Sequence, residues 1–184
     1  MIPVHDQLTH DALAELASLC DGFFDDLSWT ASCQVVSPDM IPEPARSLLV
    51  HNDHMTATLG RHYAEPVALT VLDHRHSGDD YRRKIILTVG DGRTVEVGVV
   101  RLNLKYVSQD VRAAIVERRT PLGDILGKHG VLTRVEAKWF LRFPPTTPVV
   151  ECFTPRPTGD VYGRLGLIYC DGEPAVELLE IVPG

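Results

Sequence analysis

Two tight turn signals constrain this chain more than any other feature. Gly90-Asp91-Gly92 separates the run 81–89 from the run 94–104, and Asp171-Gly172 separates 161–170 from 174–182. Short Asp-Gly turns join antiparallel strands, because glycine supplies the positive φ that such turns need. A further run, 66–76, precedes 81–89 at hairpin distance. Residues 131–143 alternate Val131, Val135, Ala137, Trp139, Leu141 and Phe143 against Arg134, Glu136, Lys138 and Arg142, which a strand resolves onto two faces. Three hairpin-like connections favour a single antiparallel sheet of about six strands. Helical periodicity places Leu13, Leu16, Leu19 and Phe23 on one stripe of residues 9–24. Further helices are expected from Asn52 or Asp53 to about residue 62, over 109–118, and from Thr120-Pro121 onward. With helices covering one side of the sheet, the class is α+β.

The 184 residues suit one domain spanning 1–184. The net charge of −7 argues against a nucleic-acid partner. It also means that an anionic ligand must be met by local positive charge. The N-terminal stretch has no basic region followed by an apolar run, so no signal peptide is expected. No stretch approaches the roughly 20 apolar residues of a membrane span. Cys20, Cys33, Cys152 and Cys170 form no CxxC pair and have no zinc-ligand spacing. A cytoplasmic protein with reduced cysteines is expected. His51/His54 and His74/His76 are the metal-like pairs, but no Cys or carboxylate constellation completes either, so no metal is expected.

Alternation makes certain charges conspicuous. Arg83 falls on the same face as Tyr81, Ile85, Leu87 and Val89. An inward arginine keeps its charge, so it needs a partner or an anionic ligand, unless it lies at a margin and snorkels out. In the last run, Glu180 shares a face with Val176, Leu178 and Val182, while Glu177 shares the other with Ala175, Leu179 and Ile181. A carboxyl among aliphatic side chains has a raised pKa and can act as an acid; alternation leaves both glutamates open. Two helix starts offer free amides. One follows Asn52 or Asp53, at His54, Met55 and Thr56. The other follows Thr120 as N-cap and Pro121 at the first position, at Leu122 and Gly123.

These pieces together resemble the chorismate pyruvate-lyase family, which makes 4-hydroxybenzoate for quinone and other aromatic biosynthesis. The matching segments are Leu48-Leu49 through Asp53-His54-Met55-Thr56, Arg83-Lys84-Ile85-Ile86-Leu87, Thr120-Pro121-Leu122-Gly123, Tyr162-Gly163-Arg164, and Gly172-Glu173-Pro174 leading to Leu179-Glu180. The resemblance covers a core of 45–184 and leaves 1–44 as a helical extension. It implies an antiparallel sheet with flanking helices and a ligand enclosed beneath helical flaps. It implies that Arg83 binds the ring carboxylate with the amides of Met55 and Leu122, in the Thr120–Gly123 box. It implies Glu180 as the catalytic acid, with Glu177 the rival one step away. Arg164 is the candidate for a second carboxylate. Val99 stands where the ubiquinone-pathway members carry arginine, with Arg101 nearby.

The activity so implied is conversion of chorismate to 4-hydroxybenzoate and pyruvate, a carbon–oxygen lyase reaction. Loss of pyruvate aromatises the ring, so no metal or redox cofactor is required. The protein need only hold an anionic ring acid and manage charge on the leaving group. Two rivals share the fold or the chemistry. One is a lyase or hydrolase acting on another enolpyruvyl ether. The other is a non-catalytic domain that binds a small aromatic acid, like the effector domains of some transcription regulators. Those domains follow a winged-helix region, for which about 45 residues are too few.

Overall fold

The computed structural model describes residues 4–184. Helix α1 (Val4–Cys20) is followed by strand β1 (Gln34–Val36) and the short helices α2 (Ala45–Leu49) and α3 (Met55–Tyr63). Strands β2 (Val67–Ser77), β3 (Asp80–Val89) and β4 (Arg93–Asn103) run as a meander. Helices α4 (Gln109–Glu117) and α5 (Leu122–Lys128) lead into β5 (Thr133–Phe143), and the hairpin of β6 (Val161–Cys170) and β7 (Glu173–Pro183) ends the chain. The strands form one sheet in the order β1-β5-β6-β7-β4-β3-β2, with each pairing antiparallel. The expected α+β class is found, with one strand more than expected. β1 is three residues long, too short for alternation to reveal it. Asp171 and Gly172 carry φ of 51° and 92°, as a tight hairpin turn requires.

Helix α1 ends at Cys20, earlier than the periodicity suggests. Gly22 takes φ 80°, a conformation that terminates a helix. The chain then folds back through a hydrogen bond from the Phe23 amide to the Cys20 carbonyl, 3.0 Å. Phe23 therefore reaches the core from the turn, and not from the helix.

Both faces of the sheet are covered, where sequence suggested helices on one side. On the first face, Leu16, Leu19, Cys20 and Phe23 pack against Val97, Val99, Leu141, Phe143, Leu165, Leu179 and Ile181. Each such buried Leu, Ile or Phe contributes roughly 1.5–3 kcal/mol. Residues 4–44 thus supply α1 to this core and β1 to the sheet edge beside β5. On the second face, α4 and α5 cover one apolar cluster that includes Val111, Ile115, Ile125, Leu126, Ile168 and Leu178. Helices α2 and α3 cover another, with Leu48, Leu49, Met55, Leu59, Ile85, Leu87 and Val182.

The clean alternation of β5 does not survive intact. The register shifts between Ala137 and Trp139, and a bulge exchanges the faces of the residues beyond it. Val135 consequently packs with the α4/α5 cluster, while Leu141 and Phe143 pack under α1.

Candidate functional site

The site lies on the second face, between its two apolar clusters. In β3 every second residue from Tyr81 to Val89 is buried, so Arg83 is carried inward with Tyr81, Ile85 and Leu87. Across the sheet Arg83 lies opposite Val100, Val100 opposite Leu178, and Leu178 opposite Gly166. Two residues along, Ile85 lies opposite Gly98, Gly98 opposite Glu180, and Glu180 opposite Arg164. These two rows form the floor.

Arg83 is 1% exposed. Among the described residues no carboxylate pairs with it, and its Nε and Nη1 have no hydrogen-bond partner. Tyr81 lies beside it with its own hydroxyl unbonded. Burial pulls the guanidinium below its ordinary pKa, opposed by Tyr81, yet an arginine stays charged in any protein. A buried cation without a partner is costly, and an anion is the chemistry that would relieve that cost.

Helices α3 and α5 form the roof. Met55 and Leu122 are their first residues, and neither helix has a side-chain cap. The leading amides are therefore free of side-chain acceptors, and the first residues of both helices line the same space as Arg83. Two capping expectations are corrected. His54, and not Asn52 or Asp53, is the residue before α3, while Asp53 pairs with Arg61 at 2.7 Å. Pro121 takes ψ 145° and stands outside α5, so Thr120 does not cap it. Gly123 brings the two roof helices together: a Cβ there would sit 3.0 Å from His54 Cβ. His54 is anchored by a hydrogen bond between its Nε2 and Thr133 Oγ1, 2.9 Å, and burial lowers its pKa.

Floor and roof enclose a cavity of about 50 Å³. Arg83, Met55, Leu122, Gly123 and Glu180 all line it, together with His54, Thr56, Glu96, Leu87 and Val100. Five of the six site residues named from sequence thus converge.

Arg164 is the sixth, and it lies elsewhere. Its Nε donates to Glu180 Oε2 at 2.6 Å. Its Nη1 donates to the carbonyls of Leu49 at 3.1 Å and His51 at 2.7 Å, and its Nη2 to that of Asp53 at 3.2 Å. The guanidinium clamps the loop before α3 to the floor and is not offered to a second ligand carboxylate. The neighbourhood expected for Glu180 is corrected by the same contact. Its nearest polar neighbour is a cation, where aliphatic side chains were expected. Glu177 is excluded from the cavity, with a side chain 49% exposed and 3.9 Å from Arg101. Val99 faces the α1 core, and Arg101 bonds Asp80 at 2.8 Å on the surface.

Glu96 is a site residue that the sequence pattern did not single out. It is 2% exposed, lines the cavity, and its Oε2 has no hydrogen-bond partner. Burial first, and then the charge of Glu180, push its pKa well above the ordinary glutamate value. The signal was the one that exposed Arg83: Glu96 alternates with Gly98, Val100 and Leu102 along β4. Gly98 makes room for it, since a Cβ there would lie 3.2 Å from Glu96 Oε1 and 2.9 Å from Ile85 Cγ1.

The histidine pairs are occupied locally. His51 bonds the Leu48 carbonyl, His74 contacts Arg118 and His76 the Gly78 carbonyl. Among the described residues no helix is long and apolar enough to cross a membrane.

Solved structures share this architecture. PhnF from Mycobacterium smegmatis aligns with a TM-score of 0.54 and 10% identity, over 73% of this chain and 65% of that one. The effector domain of the same protein aligns with a TM-score of 0.54 and 10% identity, over 72% of this chain and 89% of that domain. The fold is the chorismate lyase-like fold. A GntR-family transcriptional regulator from Bacillus cereus aligns with a TM-score of 0.43 and 12% identity, over 63% of this chain and 90% of that one. No protein-family model matches the sequence, and no curated protein does.

Proposed function

We propose that this protein binds a small, singly charged anionic ring acid in the cavity beneath α3 and α5. One observation carries the reading: Arg83 is buried with two unpartnered nitrogens and no carboxylate. The charge balance of the site supports it. Arg164 and Glu180 form a pair at 2.6 Å, burial favours the neutral form of Glu96, and Arg83 is left as an unpaired positive charge. One carboxylate neutralises it. A second carboxylate finds no uncommitted cation among the cavity-lining residues. The fold shared with a regulator's effector domain agrees with a binding role.

The cavity is far below the roughly 300–1,000 Å³ of a ligand pocket, so a ring acid enters as the roof helices part. Isothermal titration with benzoate and 4-hydroxybenzoate tests the reading. Wild type is expected to bind, and Arg83→Met to lose at least about 100-fold in affinity, the cost of removing one partner of a buried charge pair. Equal binding by both proteins sinks it.

The second reading is turnover of chorismate, favoured by Glu180 lying on the cavity floor with Arg83 and the Met55 and Leu122 helix starts. In that reaction the ring–oxygen bond of the enolpyruvyl ether breaks and the ring loses a proton to become aromatic. The enolpyruvate takes up a proton to become pyruvate. Incubation with chorismate, followed for 4-hydroxybenzoate and pyruvate, separates the readings. Binding without product leaves the first alone.

A further inference from the structure

The cavity has two chemically distinct ends, and only one is explained by anion binding. Arg83 is level with Val100 on β4, and Glu96 lies four residues further along that strand. At about 3.4 Å per residue the two backbones stand about 14 Å apart along the sheet. Their long side chains point into the same space from opposite ends. Between them the floor is Ile85, Gly98 and Glu180. Gly98 leaves that stretch bare of a side chain, with Glu96 Oε1 lying over it. Glu96 lines the cavity, and its Oε2 is buried without a partner.

We infer that Glu96 is a specificity-determining residue, which donates a hydrogen bond to an oxygen on the side of the ligand remote from the carboxylate held by Arg83. The inference rests on the binding reading above and adds to it a second recognition point. Arg83 selects one anionic group. Glu96 selects a hydrogen-bond acceptor, such as an ether, hydroxyl or carbonyl oxygen, at the far end. Burial and the Glu180 charge raise the Glu96 pKa and so favour its neutral form, and a protonated carboxyl supplies one O–H donor. The donor is left unsatisfied when the far end of the ligand is purely apolar, and a buried unsatisfied polar group is penalised. Glu180 cannot take this role as freely, since its Oε2 is already bonded to Arg164 at 2.6 Å.

The test uses two probes of matched shape, 4-methoxybenzoate and 4-ethylbenzoate, titrated into wild type, Glu96→Gln, Glu96→Leu and Arg83→Met. The methoxy oxygen accepts a hydrogen bond and cannot donate one. Wild type is expected to prefer the methoxy acid by about tenfold, the worth of one buried hydrogen bond. Glu96→Gln keeps an N–H donor and should retain most of that preference. Glu96→Leu should abolish it while still binding both acids. Thermal melting of each variant confirms that it is folded, and the Gln variant carries the test should the Leu variant not fold. A preference unchanged in Glu96→Leu, or absent in wild type, overturns the role of Glu96 while the Arg83 reading stands. Failure of wild type to bind either acid, or binding unaffected by Arg83→Met, overturns both.

Discussion

The two faces of β7 meet opposite surroundings. Leu179 and Ile181 enter an apolar core beneath α1. Leu178, Glu180 and Val182 point the other way, toward a face split into two apolar clusters with Arg83, Glu96, Glu180 and Arg164 gathered between or beside them. The first face has a composition expected of a part that only stabilises. The second buries four ionisable side chains close to one another, an arrangement that costs stability and persists where it does something else. Their positions on β3, β4, β6 and β7 set them on strands that are hydrogen-bonded to a neighbour on each side.

Substitutions on the two faces should separate these roles. The largest effect is expected from Arg164→Met. It leaves Glu180 buried without its cation and frees the loop before α3, at a cost of about 3–5 kcal/mol; urea unfolding measures it, and a loss under about 1 kcal/mol would show that the pair is not the clamp described. Leu165→Ala on the α1 face should cost about 2–5 kcal/mol and leave the affinity of the folded protein for benzoate unchanged. A large change in affinity there would erase the distinction between the faces. Arg83→Met should move stability the other way. Replacing an unpaired buried cation by an apolar side chain of similar length is expected to be neutral or stabilising by about 1–4 kcal/mol, although binding is lost.

The smallest expected effect depends on pH. Glu96 has a folded-state pKa above its ordinary 4.5. Below that value the carboxyl is protonated in both states, and it costs nothing. As pH rises, the unfolded chain releases the proton while the folded chain retains it, so wild type loses stability up to the folded pKa. Glu96→Gln does not titrate. Its melting temperature relative to wild type should therefore climb as pH rises above 4.5. Glu180, Arg164, Arg83 and His54 surround the group and are common to both proteins. A constant difference across that range would mean that Glu96 is not buried as a neutral acid.

The contrast between the faces was legible in sequence only where alternation held. β3 alternates without interruption from Asp80 to Val89, so the inward placement of Arg83 follows from its pattern alone. β7 lies at the centre of the sheet and is buried on both sides. Its pattern could not choose between Glu177 and Glu180; the choice is made by position, since Glu177 pairs with Arg101 near the sheet surface. In β5 the bulge after Ala137 broke the period and reversed the faces. Arg164 shows a different limit. Its inward position follows from β6, but the carbonyls of Leu49, His51 and Asp53 lie more than 100 residues away in the chain, and no local pattern announces them. Glu96 was within reach of the same alternation that marks Arg83, but it sits in a run rich in valine, buried on both faces.

On the binding reading, the close approach of Gly123 to His54 would govern how fast a ligand enters. While the two helix starts touch, Arg83 cannot draw an anion from solution, so the entry rate follows how often the roof parts and saturates as ligand is added. Apparent affinity is the intrinsic value weakened by the fraction of molecules open at any moment. A methyl group at Gly123 would press on His54 at 3.0 Å and hold the helices apart. On that reading Gly123→Ala is expected to quicken both capture and escape of benzoate, which stopped-flow measurement of the two rates checks.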